Sequence, residues 1–136
     1  MANLRFYNET VFRSSSQPLA EFFIGMNTTS MSKVNVFQPT RILTSINAVD
    51  VQEWARECLE THEKVLLIDL RNVSFMDSSG LGALISIQRM VQSHGGELAL
   101  CNIQGQARML LDMTTTSQMF SIYENQAEFE SQLKVG

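Results

Sequence analysis

The sequence predicts an α/β fold, a mixed and partly parallel sheet of about four to five strands with about four helices packed on it. Two kinds of observation predict it. "KVLLIDL" (64–70) and "ELALCNI" (97–103) are short apolar runs, the mark of strands covered on both faces. Between and around them, apolar residues recur at helical spacing, as in Val51, Trp54, Ala55, Cys58 and Leu59. Strands alternating with helices at this pace give an open sheet with helices laid against it.

Taken in order, residues 1–32 are rich in Ser, Thr and Asn, with aromatics at no sustained period, and are expected to form a mobile leader. Their basic, serine-rich character suggests a transit peptide, but Glu9 and Glu21 count against it. The folded domain is expected over 33–136. Val34, Val36 and Phe37 suggest a first strand, and Ile42-Leu43 a short second one after Pro39. Asn47 or Asp50 is placed to cap the helix that carries the Val51–Leu59 stripe, with Glu53, Arg56, Glu57 and Glu60 on its polar face. After the 64–70 strand, a helix is expected over 80–94. Leu81, Leu84, Ile85, Gln88 and Val91 lie on one side of it, and Gly82, Ser86, Arg89 and Ser93 on the other. Gly95-Gly96 stops it. A strand over 97–103, a helix over 105–113 with Ala107, Leu110 and Leu111 inward, a strand over 119–123 and a helix over 127–133 complete the chain.

With 136 residues, one domain with its own core is expected. A net charge of −4 gives no positive field for nucleic acid or an anionic membrane surface, so neither is expected as a partner. No apolar run approaches the roughly 18 residues of a membrane span, and a cytoplasmic location is expected. Cys58 and Cys101 are read as two reduced, buried thiols, because nothing resembles a CxxC pair or a zinc framework. Met76, Met90 and Met113 are expected to fill the core.

The chemistry concentrates in "SFMDSSGLGAL" (74–84). A nucleophile elbow needs Gly-x-Ser-x-Gly, but Met76 stands two residues before Ser78 and Asp77 two before Ser79. A phosphate-cradling loop needs Gly-Lys, and the chain has no such pair. His62 and His94 are the only candidate bases, and a polar turn and a helix end are the ordinary places for surface histidines. No catalytic residue, metal or cofactor is therefore expected, and the chain is not expected to be an enzyme. Asp77, Ser78 and Ser79 all belong to the residue types that cap helices, and one of them suffices for that purpose. Three in a row, followed by Gly80 and Gly82, exceed what a cap requires and leave a bare helix start that a partner can approach.

"FMDSSGLG" ahead of a helix, then "GGELALCNI", then "RMLLDMTTTSQMFSIYENQAEFESQL" resembles the anti-sigma factor antagonist branch of the STAS domain family, over about residues 34–133. The resemblance implies a STAS-like fold with a regulatory serine, which maps onto Ser78. It implies an ATP-binding anti-sigma factor serine kinase as partner, sequestered by the unphosphorylated protein and released on phosphorylation. A metal-dependent Ser/Thr phosphatase would reset the switch. Asp77, Ser79, Gly80 and Gly82 would support the turn, with Ser79 the rival acceptor, while Met76, Ser86 and Arg89 would extend the partner contact. The polar stripe through Ser86 and Arg89 also reads as a plain solvated face. Where the family carries a Gly-x-Leu-Asp-type stretch, this chain has "RILTSINAVD", which changes the loop expected beside the turn. The alternative reading is a STAS scaffold that docks on a sensor complex or transporter with the serine idle.

Overall fold

The computed structural model describes residues 33–135; the expected leader, 1–32, lies outside the described residues. The elements are β1 (Asn35–Phe37), β2 (Arg41–Leu43), α1 (Ala48–Glu60), β3 (Val65–Asp69), β4 (Val73–Met76), α2 (Ser78–Ser93), β5 (Glu97–Cys101), α3 (Gly105–Met113), a 3-10 turn (Thr116–Met119), β6 (Ser121–Tyr123) and α4 (Gln126–Val135). Four strands form one sheet in the order β1-β3-β5-β6, and β2 pairs with β4 in a separate two-stranded sheet. Every pairing among the described residues is parallel, where a mixed sheet was expected.

Alternation along the central strands sorts the core into two layers. Leu66 and Ile68 of β3 and Leu98 and Leu100 of β5 face the larger cluster, which receives Trp54 and Leu59 from α1, Leu84 and Ile87 from α2, and Ala107 and Leu111 from α3. Leu67, Ala99 and Cys101 face the opposite way, where Phe129 of α4 covers them. Because side chains alternate with period two, both faces of β3 and β5 must be apolar, which is why these strands read as unbroken apolar runs. Within the larger cluster the rings of Phe37 and Trp54 meet at 5.3 Å, tilted by 41°.

β4 was not expected as a separate strand. It has only four residues, with Ser74 and Phe75 exposed between buried Val73 and Met76, so no period shows in the sequence. It pairs with β2 across a register shift at Arg41, whose φ of +71° bends the strand there. The last strand starts later than expected, because Thr116–Met119 form the 3-10 turn instead. α2 starts two residues earlier than expected, at Ser78. Asn47 does stand at the N-cap position of α1 but makes no side-chain cap. Its amide instead donates to the Ile42 carbonyl at 2.8 Å and accepts from the Thr44 N–H at 3.1 Å, tying the loop back on itself. Met113, expected in the core, is 75% exposed on the outer side of α3.

Candidate functional site

The β2–β4 pair sets the site. Leu43 and Met76 are partners at its end, and the chain turns directly from Met76 into α2. Asp77 is the N-cap residue, with extended backbone, and its Oδ1 accepts a hydrogen bond from the Gly80 N–H at 3.0 Å. The Leu43 carbonyl holds the turn from the other side. It accepts from the Asp77 N–H at 3.4 Å, and the Cα of Gly80 lies so close that a Cβ would overlap it. Gly80 is therefore demanded by packing. Gly82, exposed, would meet nothing within 4 Å if it carried a Cβ.

Ser78 and Ser79 form the first turn of α2 and both are exposed. Among the described residues neither hydroxyl has a hydrogen-bond partner, because Asp77 already supplies the cap. Their backbone N–H groups, at the first two helical positions, have no acceptor within the helix. The result is a free hydroxyl beside two unpaired donors at the positive end of a sixteen-residue helix. Such a place can receive an anionic group without moving the backbone.

Of the other expected residues, Ser86 and Arg89 are exposed along the same helix, on the side that carries Gly82. Met76 is fully enclosed, in the core where a methionine was expected, so its side chain is withdrawn from the partner contact also expected of it. Its backbone is held by Gln106 of α3, whose Oε1 accepts from the Met76 N–H at 2.8 Å and whose Nε2 donates to the Met76 carbonyl at 2.9 Å. This side-chain amide completes the open edge of β4 as a neighbouring strand would. Nothing in the sequence signals it. Phe75, Ile46 and Val49, respectively 46%, 79% and 51% exposed, were also not singled out. His62 and His94 are exposed, and His94 closes the C-terminal end of α2 with Nδ1 2.9 Å from the Met90 carbonyl.

A second polar centre lies at the end of β3. Asp69 is buried and accepts from Gln38 Nε2, Arg71 N, Arg71 Nε and Asn102 Nδ2 at 2.9–3.1 Å, with Arg71 Nη2 also 2.9 Å away. Burial by itself raises the pKa of this carboxyl, but the bonds from Arg71, Asn102 and Gln38 outweigh it and hold it below the usual value. Burial and the adjacent Asp69 charge push the Cys101 thiol up to about 12, so it stays protonated. Both cysteines are buried, and no disulfide joins them. Among the described residues no three His, Cys, Asp or Glu side chains come together as a metal site, and no helix is long and apolar enough to cross a membrane.

The family model of the STAS domain matches residues 26–129. The chain belongs to the STAS domain family. An anti-sigma F factor antagonist of Paenibacillus polymyxa is 34% identical over 70 residues, which are 52% of this chain and 60% of that protein. This STAS chain thus spans less than two thirds of that relative's length. Among solved structures, the Bacillus anti-sigma factor antagonist SpoIIAA in its unphosphorylated form shares the fold with a TM-score of 0.58 at 17% identity, covering 78% of this chain and 93% of that one. SpoIIAA is also known in a phosphorylated form. A sulfate transporter family protein from Wolinella succinogenes matches with a TM-score of 0.66 at 16% identity, over 80% of this chain and 93% of its own. The STAS fold thus serves both kinds of protein.

Proposed function

We propose that this STAS domain is an anti-sigma factor antagonist switched by phosphorylation of Ser78. In its unphosphorylated form it holds an ATP-binding anti-sigma factor kinase and so frees a sigma factor. A metal-dependent Ser/Thr phosphatase restores that form. The observation that carries this reading is the exposed Ser78 hydroxyl, left without a partner because Asp77 has taken the cap. The antagonist names of relatives and the two forms of SpoIIAA supply the class of partner.

The energetics suit a binding switch. Phosphate at the start of a helix gains roughly 0.3–1 kcal/mol from the helix dipole when exposed, so the fold is unharmed. A group carrying about −1.5 to −2 charges, buried unmatched against a partner, costs on the order of 2–5 kcal/mol. That is a loss of tens- to thousands-fold in affinity. Asp77, one residue away, adds repulsion.

Incubation with the cognate kinase and ATP, followed by site mapping by mass spectrometry, tests the assignment. Label on Ser78 that disappears in Ser78→Ala is expected; label that persists in that variant ends the claim. The second reading, a STAS scaffold that docks with its serine idle, is favoured by the fold match to the sulfate transporter family protein. A partner complex indifferent to Ser78→Asp would select it.

A further inference from the structure

We propose that the hollow at the carboxyl ends of β5 and β6 binds a small zwitterion, a free α-amino acid in chemical class. Topology makes the place. The chain leaves β5 into α3, whose Ala107 and Leu111 join the larger core layer, and leaves β6 into α4, whose Phe129 lies in the opposite layer. Two neighbouring parallel strands therefore send their connections to opposite faces. A crevice opens between them at their carboxyl ends, which is where open α/β sheets generally take ligands.

The crevice is a hollow of about 370 Å³, large enough for a small molecule. Arg71 and Arg108 line it together with Glu124 and Glu128. Among the described residues, no ion pair joins either glutamate to either arginine. Among the described residues Arg108 has no charged partner, and Arg71 spends Nε and Nη2 on Asp69, with no partner there for Nη1. Among the described residues, the Glu128 carboxylate accepts only from the Glu124 N–H. Opposite charges that share a hollow without closing on each other leave space for a molecule carrying both signs. Its carboxylate would meet Arg108 and the free edge of Arg71; its ammonium would meet Glu124 and Glu128. The Asn102 amide, pinned to Asp69 through Nδ2, keeps its oxygen as a further acceptor, and Ile103 and Ile122 offer apolar surface to a side chain. A multiply anionic ligand would meet two carboxylates and be repelled.

The test is an amide-resolved NMR titration of the full chain with a panel of free amino acids. Acetate, methylammonium and inorganic phosphate serve as single-sign probes. At least one amino acid is expected to give saturable shifts confined to 102–104 and 122–124, at least about tenfold tighter than any single-sign probe. Arg108→Gln and Glu128→Gln, each keeping hydrogen-bonding capacity while losing charge, should weaken it by about tenfold or more with unfolding curves unchanged. No saturable shift from any amino acid, equal binding by the variants, or acetate or phosphate binding as tightly would overturn the proposal.

Discussion

Gly80 and Gly82 stand two residues apart in one helix and obey different constraints. A methyl group at 80 would be driven into the Leu43 carbonyl, which cannot retreat without breaking its hold on the Asp77 N–H. Gly80→Ala should therefore destabilise by about 1–3 kcal/mol, the usual cost of overpacking. Gly82→Ala adds a methyl group to open space in an exposed helical turn and should stabilise by up to about 1 kcal/mol. Urea unfolding of the two variants side by side checks the contrast; equal effects would show that the turn is not pinned at Leu43. Asp69 offers a second test at this scale. Its folded pKa lies below the unfolded value of about 3.9, so its contribution is complete above that pH and is lost as pH falls through the folded pKa. Asp69→Asn should accordingly be less stable than the parent at neutral pH, with the gap narrowing below about pH 4. Thermal unfolding across pH measures it, and a gap constant into acid would contradict the assignment.

At the scale of elements, what could be read from the sequence depended on how much of each element's pattern came from burial alone. β3 and β5 are covered on both faces, so their apolar runs announce them. α1 and α2 bury one stripe, and the helical spacing of Trp54, Cys58, Leu84 and Val91 shows it. A bare helix start after 77–79 was legible because cap-forming residues were in excess there, but the helix begins at Ser78, two residues earlier than the apolar spacing indicated. β4 was not, since its partners are a three-residue strand and one glutamine side chain, and neither imposes a period. Asn47 misleads because its amide has the Ile42 carbonyl of β2 and the Thr44 N–H in reach, which only the folded chain reveals. The charge hub at Asp69 carried one faint signal, an acidic residue inside an apolar run. Gln106 is the element-scale device most open to test. Gln106→Ala strands the Met76 N–H and carbonyl on a strand edge, at a cost of about 1–3 kcal/mol. Hydrogen exchange at the Met76 amide should speed up well before that of the β3 amides. Unchanged protection there would mean that the edge is closed by something else.

Across the whole molecule, the two core layers are unequal, and the inequality separates stability from the proposed switch at Ser78. The larger layer receives α1, α2 and α3 and carries the turn at Ser78. The thinner layer is closed by α4, which brings the fully buried Phe129 against Leu67, Ala99 and Cys101. The Phe129 ring also meets that of Tyr123 at 5.1 Å. Truncating Phe129 to Ala should cost about 3–5 kcal/mol, a large share of the roughly 5–15 kcal/mol that holds a domain together. Much of that loss should appear as local opening of α4, because Phe129 packs in the cluster that α4 covers and not in the opposite one. Hydrogen exchange should then show α4 exchanging early while α2 stays protected. On the proposed switch, Ser78, in a turn held by Leu43, Asp77 and Gly80 in the other layer, should be phosphorylated by the proposed kinase at an unchanged rate wherever the variant remains folded. If loss of Phe129 slowed that modification in the folded protein, the sheet would be passing strain from one layer to the other, and the turn could not be treated as an independent unit.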